Sequence, residues 1–215
     1  LSVQVHPPAD VARKLDAEPK TESWYVADVD DGASLYVGFR QSTTKEAFRS
    51  AIDQDKVEEV INELHPEAGE FIHLESGRLH AIGAGCLIFE IQQNSDTTYR
   101  VYDWGRLGLD GVPRDLHVEE SLQCIDFSDV GTAMDQSDGE RLVSCAHYTI
   151  DQWKLGADDS RAMETDERFA VVTIVSGVIH CGDSVFSAGD FFLAPVGCAP
   201  LVADQTAEVL VTRIP

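Results

Sequence analysis

Apolar and polar residues alternate with a period of two over much of this chain, the signature of strands with one buried face. Near the start, Val3 and Val5 alternate with Ser2, Gln4 and His6, so a strand here has one apolar and one polar side. Trp24-Tyr25-Val26-Ala27-Asp28-Val29 reads as a strand ending at the turn Asp30-Asp31-Gly32, and residues 34–39 read as the next. Strand patterns return at 70–74 and 87–92, and again from Leu142 onward, where Gly177, Gly182 and Gly189-Asp190 fall at turn spacing. Helical spacing interrupts them. Thr43-x-x-Glu46 has the form of a capping box, with Phe48, Ala51 and Ile52 behind it. Val57, Val60, Ile61 and Leu64 predict a second short helix that Pro66 ends, and residues 116–122 predict a third. Residues 107–113, carrying Gly108, Gly111 and Pro113, read as a connector. The pattern predicts a mainly β chain in two successive halves, 1–113 and 114–215, with a helical insertion near 43–65.

Composition narrows the partners. The 215 residues are 43% hydrophobic and 25% charged, ordinary for a folded soluble chain, with no apolar run long enough to span a membrane and no secretory signal. The formal net charge is −22, which repels phosphate backbones and argues against nucleic acid. It also repels small anions at long range, so a phosphate site requires a local basic pocket. Cys86, Cys124, Cys145, Cys181 and Cys198 are odd in number, scattered and without a C-x-x-C pair, which points to a reducing, cytoplasmic setting.

Two clusters carry candidate chemistry. Gln4 and His6 are two apart on one strand, so their side chains share a face, and Lys20 and Glu22 stand in the same relation if Lys20 begins the Trp24 strand. His80 follows the turn at Ser76-Gly77 and precedes Gly83-Ala84-Gly85. Two imidazoles and a carboxylate suit zinc or a similar divalent ion, and an amide ligand leaves that ion more Lewis-acidic. Taken singly, His6 and His80 read as half-buried histidines, and Arg100, Arg106 and Lys20 as solvated cations; spacing leaves the choice open. His65, His73, His117, His147 and His180 have no evident partner, and the second half reads as structural.

The stretches LSVQVHP at 1–7, KTESWYV at 20–26 and GRLHAIGAGCLIFEIQQNSDTTYRVYDWGR at 77–106 resemble type I phosphomannose isomerases, especially their short bacterial form. RDLHVEESL at 114–122 is similar to that family's link into its C-terminal domain. The resemblance implies two cupin-like β-barrel or jelly-roll units. It implies one divalent ion, by default zinc, at Gln4, His6, Glu22 and His80, with a catalytic arginine at Arg100, a lysine at Lys20 and an acidic active-site residue at Glu90. The implied reaction interconverts mannose 6-phosphate and fructose 6-phosphate through a cis-enediol, and the implied partner is a sugar phosphate. A non-catalytic metal-binding cupin that binds a sugar phosphate, and an isomerase of another sugar phosphate, are the alternatives; oligomeric state is left open. Family members carry further strands before Q-V-H-P, so relative to them the sequence starts inside the motif, which predicts an exposed sheet edge.

Overall fold

The computed structural model describes residues 1–108, 111–163 and 168–215. Leu109 and Asp110 of the expected connector lie outside these. Two compact units divide the chain, Leu1–Asp135 and Gln136–Pro215. The division falls later than the expected one at 113/114. The reason is the helix Val118–Cys124, whose Leu122 and Cys124 are buried in the core of the first unit with Val3, Val5 and Val101.

In chain order the first unit contains β1 (Val3–Val5), α1 (Ala9–Leu15), β2 (Glu22–Val29), β3 (Leu35–Phe39), α2 (Lys45–Asp53), β4 (Ile61–Leu64), β5 (Phe71–Leu74), β6 (His80–Ile82), β7 (Cys86–Gln92), β8 (Tyr99–Tyr102) and α3 (Val118–Cys124). They form a five-stranded sheet, β4-β3-β6-β1-β8, and a three-stranded sheet, β5-β2-β7. Alternation assigns the faces. Val3, Val5 and Ala81 join Phe48 of α2 and Leu122 of α3 in one core. Leu35 and Val37 join Trp24, Val26, Ile72 and Leu74 of the smaller sheet in a second core. A bulge between Tyr36 and Phe39 sends Phe39 to the helix side. It runs through Gly38 at φ +67°, where a Cβ would stand 2.7 Å from the Asp129 carbonyl oxygen, so only glycine fits.

The helical segment differs from expectation. The N-cap of α2 is Thr44, whose hydroxyl accepts from the Ala47 amide at 3.1 Å; the Thr43 hydroxyl instead donates to the Gln41 carbonyl. The expected helix over Val57–Leu64 is a 3-10 turn at Val57–Glu59 followed by strand β4. Pairing with β3, Leu35 against Leu64 and Phe39 against Ile61, overrides the helical spacing. The helix α3 lies two residues later than predicted, and α1 was not expected.

The second unit contains β9 (Arg141–Ser144), β10 (Thr149–Leu155), β11 (Ser160–Arg161), β12 (Ala170–Ser176), β13 (Val178–Cys181), β14 (Ser184–Ser187), β15 (Phe191–Ala194), β16 (Leu201–Ala203) and β17 (Ala207–Arg213). Its sheets are β15-β12-β17-β10-β9 and β11-β16-β13-β14, and Trp153, Val172, Ile174, Ile179, Leu201 and Val209 fill the core they share. Chain passage from β12 to β13 turns on Gly177 at φ +81°, where a Cβ would lie 2.6 Å from the Thr206 carbonyl oxygen and 2.7 Å from Ala207 Cα.

Candidate metal centre

Sheet register assembles the site. Gln4 on β1 stands opposite His80 on β6 and, across its other edge, opposite Arg100 on β8, so all three occupy one row and one face. His6, two residues on from Gln4, lies just past the end of β1, and the same alternation turns it to that face. Glu22 opens β2 of the other sheet, and Trp24, two residues on, pairs with Glu90 on β7. Lys20 lies just before β2 rather than within it, and is buried.

His6, Glu22 and His80 are all buried, and their ligating atoms lie within 4.8 Å of one another. Glu22 Oε2 is 3.1 Å from His6 Nε2 and accepts from Lys20 Nζ at 2.9 Å. Its other oxygen, Oε1, is 3.4 Å from His80 Nε2 and has no hydrogen-bond partner. Gln4 Nε2 is 3.3 Å from His80 Nε2, so the amide sits at the edge of the cluster.

The outer ring nitrogens explain the aim of the inner ones. His6 Nδ1 is 2.8 Å from the Thr97 carbonyl and His80 Nδ1 is 2.9 Å from the Arg78 carbonyl. A carbonyl can only accept, so each histidine carries a proton on Nδ1. A neutral imidazole then turns its Nε2 lone pair toward the Glu22 carboxylate. Burial pushes His80 down to about 4, against the opposing pull of Glu22, so it is neutral at neutral pH. Burial alone would raise Glu22; the charge His80 takes on in acid and the hydrogen bond from Lys20 outweigh it and hold the carboxyl at about 2, so it is ionised at neutral pH. Two lone-pair donors and an ionised carboxylate with an unpartnered oxygen converge on one buried point, a donor set that fits a divalent cation.

The groups around this centre are also placed. Glu90 accepts from Trp24 Nε1 at 3.2 Å and from Lys20 Nζ at 3.3 Å, so Lys20 bridges Glu22 and Glu90. Arg100 donates through Nη1 to the Asp115 carbonyl at 2.8 Å, while its buried Nε makes no hydrogen bond. The Arg100 backbone is pinned by His117: the Arg100 amide donates to His117 Nδ1 at 3.2 Å, and the His117 amide donates to the Arg100 carbonyl at 2.7 Å. Arg106 is held by Asp103, 2.5 Å away, and is not brought to the cluster.

Several positions escaped the sequence. The carbonyls of Thr97 and Arg78 carry no side-chain signal. His117 has a partner after all, as do His73 with Ser23 Oγ at 2.9 Å, His65 with the Ala33 carbonyl at 3.2 Å and His180 with Asp204 at 2.8 Å.

Two β-sandwich units, the first with a buried His–Glu–His cluster between its sheets that is fit to hold a metal ion, define a protein of the cupin type. The mannose-6-phosphate isomerase ManA of Bacillus subtilis is 31% identical over all of this chain and 71% of its own length. A solved mannose 6-phosphate isomerase from Bacillus subtilis superposes with TM-score 0.85 at 26% identity, over 99% of this chain and 71% of that one. A zinc-bound holo mannose 6-phosphate isomerase has the same fold, with TM-score 0.65 at 14% identity, over 100% of this chain and 76% of that one. No family model matches the sequence. The chain belongs to the mannose-6-phosphate isomerase family. Among the described residues no helix is long and apolar enough to cross a membrane.

Proposed function

We propose that this chain is a metal-dependent aldose–ketose isomerase that interconverts mannose 6-phosphate and fructose 6-phosphate, with zinc held by Gln4, His6, Glu22 and His80. The observation that carries the reading is the unpartnered Glu22 Oε1 between two buried histidines, at positions the family motifs share. The zinc-bound relative supports the choice of ion.

The reaction moves a proton between C2 and C1 of an open-chain sugar. When bound, the ion supplies Lewis-acid polarisation of the sugar oxygens. The remaining work falls to side chains. Glu90, steadied by Trp24 and Lys20, takes the C2 proton on a carboxylate oxygen and returns it to C1, while the O2 hydroxyl proton passes to O1 of the enediolate. Lys20 balances the charges of Glu22 and Glu90 as Glu90 changes protonation. Arg100, one strand from Gln4 and with a donor to spare, stabilises negative charge on the enediolate oxygens.

The direct test is turnover of mannose 6-phosphate to fructose 6-phosphate by these 215 residues, with zinc and after chelation. Turnover that vanishes on chelation and returns with zinc is expected. A folded, zinc-loaded sample with no turnover overturns the assignment.

A further inference from the structure

In a chain of net charge −22, the few cations are informative by where they gather. Residues 136–215 contain five lysines and arginines, and three of these, Arg141, Arg161 and Arg213, line a single cavity of about 480 Å³ in the second unit. Asp151, Trp153 and Ser160 complete most of its wall.

Register explains the gathering. Thr149, Asp151 and Trp153 alternate along β10 and so share a face. Arg213 of β17 pairs opposite Thr149, and Arg141 of β9 opposite Asp151. Arg161 comes from β11 of the other sheet and lies over the Trp153 ring, 3.8 Å from its centroid; Arg213 is 5.5 Å from the same ring.

Among the described residues the charges in this cavity do not cancel. Arg141 and Arg213 both bind Asp151, the latter at 2.6 Å, and Arg161 binds Glu140 through two bonds of 2.6 and 2.8 Å. Among the described residues, Arg141 and Arg213 share one carboxylate, that of Asp151, which leaves one positive charge between them. Arg213 Nε is buried and makes no hydrogen bond, a donor that is costly to leave unsatisfied. The isomerase reading uses none of these residues.

We propose that this cavity is a binding site for the phosphate group of a small phosphorylated metabolite, separate from the metal centre. Guanidinium forks match phosphate oxygens, and three of them arriving from three strands suit a tetrahedral oxyanion better than a planar carboxylate. Ser160 offers a hydroxyl to the rest of the ligand, and the volume falls in the range of small-molecule sites. This is the local basic pocket that a chain repelling anions at long range requires.

The test is an isotope-resolved NMR titration of the full chain with inorganic phosphate and with ribose 5-phosphate. Saturable shifts are expected at the Trp153 indole N–H and the Arg213 Nε–H, unchanged in His80→Ala. Affinity should fall at least about ten-fold in Arg213→Gln, the loss of one charge-assisted contact. If Arg213→Gln does not fold, Arg161→Gln, at a more exposed arginine, carries the same expectation. Shifts that never saturate, shifts confined to the surroundings of His6 and His80, or equal affinity in a folded arginine variant overturn the site.

Discussion

Replacing Arg78 by alanine tests whether the metal centre depends on groups that never touch the ion. The Arg78 guanidinium donates to both oxygens of Asp129, at 2.9 and 3.2 Å, and to the His73 carbonyl at 2.7 Å. Its side chain is 25% exposed and that of Asp129 is 11% exposed. Charge-assisted bonds of this kind contribute about 1.5–3 kcal/mol each when dry. With partial solvent access, and with Thr132 still donating to Asp129 at 2.7 Å, the three together come to about 3 kcal/mol of stability. The same residue's carbonyl accepts from His80 Nδ1 at 2.9 Å, and it persists in the alanine variant. What is lost is the clamp that fixes the peptide's orientation. Outer partners of metal-bound histidines are worth about 10–100-fold in metal affinity, so a fall near the low end of that range is expected. Zinc competition against a chromophoric chelator, run beside urea unfolding, reads both quantities. A variant that loses stability yet binds zinc as tightly as the parent would refute the link between the clamp and His80.

Arg100→Lys keeps the charge but not the planar fork, and turnover should fall about 100-fold or more with zinc content unchanged; full turnover would remove Arg100 from the reaction. Hydrogen bonds from Arg114, then the nearby Arg106, lower Asp103 from 3.8 to about 2 despite its burial. That stabilisation is complete above 3.8, is lost as pH falls through about 2, and should be absent from an Asp103→Asn variant, so the two proteins' unfolding midpoints must converge over that window. Gly177→Ala meets a left-handed backbone and two backbone atoms under 3 Å away, and should cost about 3 kcal/mol in the second unit, read by thermal unfolding; an unchanged Tm would contradict the passage described.

How much of this was legible in the sequence depended on whether a signal repeats. Strands β1 and β2 were readable because Val3 and Val5, or Trp24 and Val26, repeat at period two against a buried face. The seven-residue α1 buries only Ala12, too little to write a helical period. At 57–64 the apolar spacing matched a helix, but an available edge on β3 decided the outcome, which no local window contains. The family motifs named Gln4, His6, Glu22, His80 and Arg100 without saying how residues so far apart meet. The register of β1 with β6 and β8 supplies that answer. Thr97 and Arg78 stayed invisible because they contribute a carbonyl, which every residue has.

Gln4 and His80 belong to the five-stranded sheet, with His6 just past the end of β1, and Glu22 belongs to the three-stranded one. An ion bound there, as proposed, would be gripped from both sides and so act as a removable rivet through the sandwich. Stripping it would remove that link between the layers, while loading it would bind the native fold and not the open chain. The supply of metal would then set the lifetime of the folded unit against proteases, and a metal-starved cell would lose the protein itself as well as its turnover.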